Sequence, residues 1–162
     1  MPARVDQPQP FDLVGDELLI AGVGHGFEGT LLWRVGEGHD ERSGIIAAGS
    51  LGAFRQFQSM ADVSGAAFKL SRLFVEVFEE SPATGEEIDR VIIPVLYGPL
   101  IVPDFIGYRE HEVVAGDTLS EIADDFYGNP SLYPRIVEAN PLTITNPDLI
   151  FVGQVFRIPV AG

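Results

Sequence analysis

The stretch Gly24-His25-Gly26-Phe27-Glu28-Gly29 has the spacing G-x-G-x-x-G. Such glycines can let a backbone approach a pyrophosphate, but only between a strand and a helix N-terminus. Here Thr30 to Val35 alternates as a β-strand, so a twisted loop between strands is the reading. Glu28 is a lone acid in that loop, whereas glycoside hydrolysis needs two carboxyl groups held across a sugar. His25, His39 and His111 lack metal-ligand spacing. Glu79, Glu80, Glu86 and Glu87 flank a turn, yet calcium loops place Asp or Asn at alternate positions. That turn is expected to be a solvated acidic one. The chain has no cysteine, hence no disulfide, thiolate zinc site or Cys nucleophile. Neither G-x-S-x-G nor H-E-x-x-H occurs. These residues predict no catalytic centre, no metal site and no cofactor.

Bulk properties narrow the partners. The 162 residues suggest one large domain or two small ones. A hydrophobic content of 46% and a charged content of 21% fit a globular protein. The net charge of −14 argues against nucleic acid and anionic membrane surfaces. Residues 1–109 carry 16 acidic and 8 basic side chains, and residues 110–162 carry 8 and 2, so both halves are acidic. No apolar run approaches the roughly 18–20 residues that cross a bilayer, so no membrane span is expected. The first thirty residues lack a basic segment followed by an apolar run, so no signal peptide is expected. A cytosolic location is the reading unless a dedicated route delivers the chain to the cell envelope.

The stretch from Glu110 to Pro159 has the clearest organisation. His111 to Val114 reads as a strand, and Gly116-Asp117 as a tight turn. Thr118 and Glu121 have capping-box spacing. Leu119, Ile122, Ala123 and Phe126 then form one apolar helical face. Gly128, Asn129 and Pro130 stop that helix. A second helix is expected, with Tyr133, Ile136, Val137 and Asn140 on one stripe and Pro134 in its first turn. Val155 to Ile158 reads as the return strand, stopped by Pro159.

These motifs resemble the lysin-motif (LysM) domain. The match rests on Gly116-Asp117-Thr118-Leu119, Ile122-Ala123, Tyr127-Gly128, Asn140, Gly153-Gln154 and Ile158-Pro159. The resemblance implies a small α+β unit over residues 110–160, in the order β-α-α-β. It also implies binding of peptidoglycan or chitin-like N-acetylglucosamine polymers in a shallow groove. Carried onto this chain, one wall would be Gly116, Asp117, Thr118 and Leu119. The other would be Asn146, Pro147, Asp148, Leu149 and Ile150. Acetamido groups need amide partners and an apolar surface for the methyl, and a helix start with a loop carrying Leu149 and Ile150 offers both. The bland alternative is that Asp117 and Thr118 only cap the helix and Leu119 only fills the core. No aromatic residue lies in either loop, so the expected affinity is about 10⁻⁴–10⁻³ M. The segments Tyr127 to Pro134 and Leu142 to Ile150 are longer than in the minimal motif. They also resemble copies in intracellular and phage-tail-type assemblies, where a LysM domain would bind protein and no sugar.

Ahead of this unit, residues 1–10 hold three prolines and two glutamines and read as a disordered leader. Short β-type runs then recur at roughly 8–12-residue spacing. They are Leu18 to Val23, Phe27 to Val35, Ile45 to Ala48, Phe54 to Met60, Leu73 to Phe78, and Val91 to Tyr97. Gly36 to Ser43 reads as a polar hairpin loop. Over residues 11–97 the chain resembles the immunoglobulin-like domain of bacterial spore germination and sporulation proteins. The motifs concerned are Phe27-Glu28-Gly29-Thr30, Trp33-Arg34, Val75-Glu76-Val77-Phe78-Glu79 and Asp89-Arg90-Val91. The resemblance implies an all-β, seven-strand immunoglobulin-like antiparallel sandwich, with Trp33 in its core and a role as a spacer or protein-docking domain. Residues 98–109 contain Leu100, Ile101, Val102, Phe105 and Ile106, too apolar for a free linker. A packed connector limiting relative motion is expected there.

Overall fold

The computed structural model describes residues 3–162 and divides the chain into two compact units, one ending at Tyr97 and one spanning Gly98–Gly162. The first is a sandwich of nine strands. They are β1 (Ala3–Gln7), β2 (Leu13–Val14), β3 (Glu17–Gly26), β4 (Thr30–Gly36), β5 (Glu41–Ala47), β6 (Gly49–Ser50), β7 (Arg55–Asp62), β8 (Arg72–Glu80) and β9 (Glu87–Tyr97). One sheet groups β1, β3, β6 and β7, with β3 paired to the other three. The other runs β2-β9-β8-β4-β5. The long strands pair antiparallel, whereas the two-residue strands β2 and β6 pair parallel to β9 and β3.

Alternation along each strand sends one set of side chains inward. Leu31, Trp33 and Val35 of β4 meet Leu73, Val75 and Val77 of β8, with Leu18 and Ile20 of β3 in the same core. Gly44 lies against the Trp33 ring, where an added Cβ would stand 2.6 Å from its atoms. Tyr97 donates a short hydrogen bond to the Asp16 carboxylate. On the outer face, Arg34 donates to Glu76 at 2.7 Å and to Glu87 at 2.8 Å, and its guanidinium covers the Phe78 ring. Glu87 is therefore an ion-pair partner, and Glu79 accepts from the Phe27 amide at 2.7 Å. The acidic turn is in these two places tied down, contrary to a purely solvated reading. Gly24 to Gly29 ends β3 and makes a single 3-10 turn, Phe27–Gly29, before β4.

Three expectations are corrected. Residues 1–10 are not a disordered leader throughout, because Ala3–Gln7 is β1, paired to β3 with Val5 opposite Gly22. Its polar residues face outward from an edge strand, which is why composition reads as disorder. The hairpin loop expected over residues 36–43 is shorter, since β5 starts at Glu41. Residues 98–109 are not a separate connector either. Gly98–Ile101 is the short helix α1, and Phe105 already begins β10 (Phe105–Glu112).

The second unit continues with α2 (Leu119–Tyr127), a 3-10 turn at Pro130–Leu132, α3 (Pro134–Ala139) and β11 (Val155–Ala161). β10 and β11 form a two-stranded antiparallel sheet, the expected β-α-α-β arrangement. Leu119, Ile122 and Ala123 of α2, Ile136 of α3, and Phe156 and Ile158 of β11 share one core. Pro159 does not stop β11; it pairs with Tyr108, and its carbonyl accepts from the Tyr127 hydroxyl at 2.8 Å. A proline is tolerated there because the strand lies at a sheet edge. Asn140 is the one buried polar residue among those described, and its amide group joins α3 to β11. No helix is long and apolar enough to cross a membrane among the described residues.

Candidate functional site

The turn between β10 and α2 is set by three interactions. Gly116 adopts φ +92, a left-handed conformation that a side chain would strain. The Asp117 amide donates to the Val114 carbonyl at 3.1 Å. The Asp117 carboxylate takes the Val114 amide at 3.0 Å and the His111 ring nitrogen Nε2 at 2.9 Å. Thr118 then caps α2. Its hydroxyl accepts the Glu121 amide at 3.2 Å, while the Glu121 carboxylate takes the Thr118 amide at 3.1 Å. This capping box satisfies two amides and leaves Leu119 and Ser120, the first two residues of the helix, without intrahelical acceptors for theirs.

The second wall is the loop before β11. Asn146 makes an Asx turn, its side-chain oxygen accepting the Asp148 amide at 3.0 Å while its carbonyl takes the Leu149 amide at 3.1 Å. Between the walls lies a cleft of about 290 Å³ lined by Asp117, Thr118, Leu119, Ser120, Tyr133, Pro147, Asp148 and Ile150. Six of the nine residues expected at a glycan groove therefore line one concavity: Asp117, Thr118, Leu119, Pro147, Asp148 and Ile150. Gly116, Asn146 and Leu149 do not line it. Gly116 and Asn146 shape the backbone of its walls, and Leu149 stands exposed beside it. Leu119 is 3% exposed, so it belongs to the core while edging the cleft.

Tyr133 corrects an expectation. Helical spacing places it in the apolar stripe of the second helix. Pro134, however, is the first residue of α3, so Tyr133 is the preceding cap residue, 36% exposed on the cleft. The cleft thus has the aromatic ring that neither loop supplies. The signal was present in Tyr133-Pro134: a proline at the first helical position puts the residue before it outside the helix.

The Asp117 carboxyl is held below its ordinary value near 3.8, first by the Val114 amide and then by His111. A depressed folded-state value means stability present above the unfolded value and lost as pH falls through the folded one. The second unit is therefore expected to loosen below about pH 3.8. Asp117→Asn should flatten that acid limb, measured as the pH dependence of its thermal midpoint. An unchanged limb would show that Asp117 is not its source.

Comparison with known proteins gives two family matches. Residues 3–86 match the immunoglobulin-like domain of bacterial spore germination, and residues 111–159 match the LysM domain. Among curated relatives, the potassium binding protein Kbp of Escherichia coli is 51% identical over 49 residues, covering 30% of this chain and 33% of that protein. An esterase of Mycobacterium tuberculosis is 54% identical over 59 residues, covering 36% of this chain and 12% of the esterase. An uncharacterized protein of Deinococcus radiodurans is 47% identical over 53 residues, covering 33% of this chain and 20% of that protein. The matches thus span a third or less of these relatives' own lengths. No solved structure matches the chain.

Proposed function

We propose, for a chain that belongs to the family of the immunoglobulin-like domain of bacterial spore germination and carries a LysM domain behind it, non-catalytic binding of peptidoglycan or a related N-acetylglucosamine polymer. The LysM match over residues 111–159 supports a glycan-binding module in the second unit. The finer reading is that sugar lies in the cleft between the Asp117–Ser120 turn and the Pro147–Ile150 loop. The observation that carries it is one concavity combining a helix start, an apolar edge and an exposed ring. The Leu119 and Ser120 amides would serve acetamido carbonyls. Ile150 would receive the acetamido methyl, and Tyr133 would stack on a sugar face. The sandwich would act as spacer or protein-docking domain.

Hydrolysis is the natural objection, because Asp117 and Asp148 both line the cleft. A proton donor to a glycosidic oxygen needs a carboxyl group whose affinity for the proton is raised. Asp117 is pulled the other way and is already committed to Val114 and His111. Incubation with cell walls is expected to release no new reducing ends.

Titration of chitin oligomers or muropeptides into labelled protein is expected to move the amides of residues 117–120 and 148–150. Tyr133→Ala should weaken that binding about tenfold, the effect of roughly 1.4 kcal/mol. No movement at millimolar sugar would reject the glycan reading and favour an assembly protein whose LysM domain binds protein.

A further inference from the structure

A second concavity, about 530 Å³, lies in the same unit but shares no residue with the cleft. Its lining is Val102, Arg109, Asp125, Phe126, Tyr127, Arg135, Val160 and Ala161. Four elements meet there: β10 brings Arg109, the last turn of α2 brings Asp125 to Tyr127, α3 brings Arg135, and β11 brings Val160 and Ala161. The Tyr127 hydroxyl, bonded to the Pro159 carbonyl at 2.8 Å, ties the end of α2 to β11 and so fixes one side.

The charge placement is uneven. Gly98–Gly162 contains nine Asp and Glu but only three arginines, Arg109, Arg135 and Arg157. Two of the three line this one pocket. Arg109 lies over the Phe126 ring at 5.8 Å and Arg135 over the Tyr127 ring at 5.3 Å. The ion pairs made by Arg4, Arg34, Arg42 and Arg90 all lie in the first unit. A guanidinium lying on a ring keeps the N–H fork at its edge available for a bidentate acceptor. Two such forks beside an apolar wall suit a carboxylate on a small aliphatic body. Asp125 disfavours a doubly charged phosphate in the same space and offers an acceptor to an amide or amine of the ligand.

We infer that this pocket, formed by Arg109 and Arg135 over Phe126 and Tyr127, binds the carboxylate end of a short aliphatic peptide. The site is independent of the glycan cleft and does not need it to be occupied.

The probes are the dipeptide D-alanyl-D-alanine, its carboxy-terminal amide, and inorganic phosphate. Each is titrated into the full chain, with the arginine Nε–H and backbone amide resonances followed. The free dipeptide is expected to move Arg109, Arg135 and Val160 saturably, leaving Ser120 and Asp148 unmoved, while the amide and phosphate move none of them. Arg109→Gln and Arg135→Gln should each weaken the dipeptide at least about tenfold, the loss typical of a charged hydrogen-bonding partner. Tyr133→Ala should leave it unchanged, which separates this site from the glycan cleft. Absence of saturable shifts at 10 mM dipeptide, on the order of the weakest useful affinity, overturns the inference. So does an amide or phosphate response equal to the dipeptide's.

Discussion

Replacing Asn140 by leucine is expected to lower the melting point of the second unit by more than about 10 °C. Asn140 is 3% exposed. Its side-chain amide donates to the Ile136 carbonyl at 2.8 Å and to the Arg157 carbonyl at 2.7 Å, and its oxygen accepts the Arg157 amide at 2.8 Å. Leucine keeps the branched outline, but its methyls cannot sit 2.7–2.8 Å from those main-chain atoms, so steric strain adds to the polar cost. The main-chain N–H and C=O of Arg157 and the carbonyl of Ile136 lose their partner in a site water reaches poorly. A buried group left unsatisfied costs about 1–3 kcal/mol, so about 3 kcal/mol in sum is a moderate figure. A small unit has little more than that in hand, and each kcal/mol moves the midpoint about 4–8 °C. Heating followed by amide resonances of residues 98–162 reads the result. Asn140→Asp, which turns a carboxylate oxygen toward the Ile136 and Arg157 carbonyls, should melt at least as low as the leucine variant at neutral pH. A leucine variant that melts with the parent would mean that water or a backbone shift replaces all three bonds.

The second large effect concerns β1. Gly22→Ala is expected to loosen the pairing of Ala3–Gln7 with β3 while the rest of the sandwich persists. A Cβ at Gly22 would lie 2.0 Å from the Arg4 carbonyl oxygen and 3.0 Å from its carbon. Main-chain atoms in a paired strand cannot yield as a flexible side-chain end can. Overpacking of this kind costs about 1–3 kcal/mol. About 2 kcal/mol spent on local opening corresponds to roughly thirtyfold faster amide exchange in residues 3–7. Ala3, now 1% exposed, would become accessible. Exchange in β1 that stays at the parent rate would show that the strand slides to accommodate the methyl.

Much of both units could be read in the chain itself. Helix α2 was legible because three local signals agree: the capping box at Thr118 and Glu121, apolar spacing from Leu119 to Phe126, and Gly128 in the left-handed conformation at its end. Strand β4 was legible because Leu31, Trp33 and Val35 alternate with half-exposed neighbours. What escaped depended on partners distant in sequence. β1 shows little apolar pattern of its own, since Arg4, Asp6 and Gln7 face outward; it is a strand because Gly22 lets it approach β3 closely. β10 begins early because Phe105 and Tyr108 find Ala161 and Pro159 across the sheet, a pairing no local periodicity reveals. At the cleft, the turn and the Asn146–Ile150 loop announce themselves by glycine, Asx and capping chemistry. Tyr133 is marked only by the proline that follows it, because the same spacing serves a buried stripe and a cap residue.

Phe105 stands opposite Ala161, and the Gly162 amide donates to the Asp104 carbonyl at 3.0 Å. Asp104 and Gly162 thus lie side by side at one end of the two-stranded ribbon. A body with adjoining ends can be spliced into a loop of an unrelated host, or strung in tandem, without stretching either neighbour. The notch built by the Asp117 turn and the Pro147–Ile150 loop lies away from that seam in the chain's path and should travel intact with the graft.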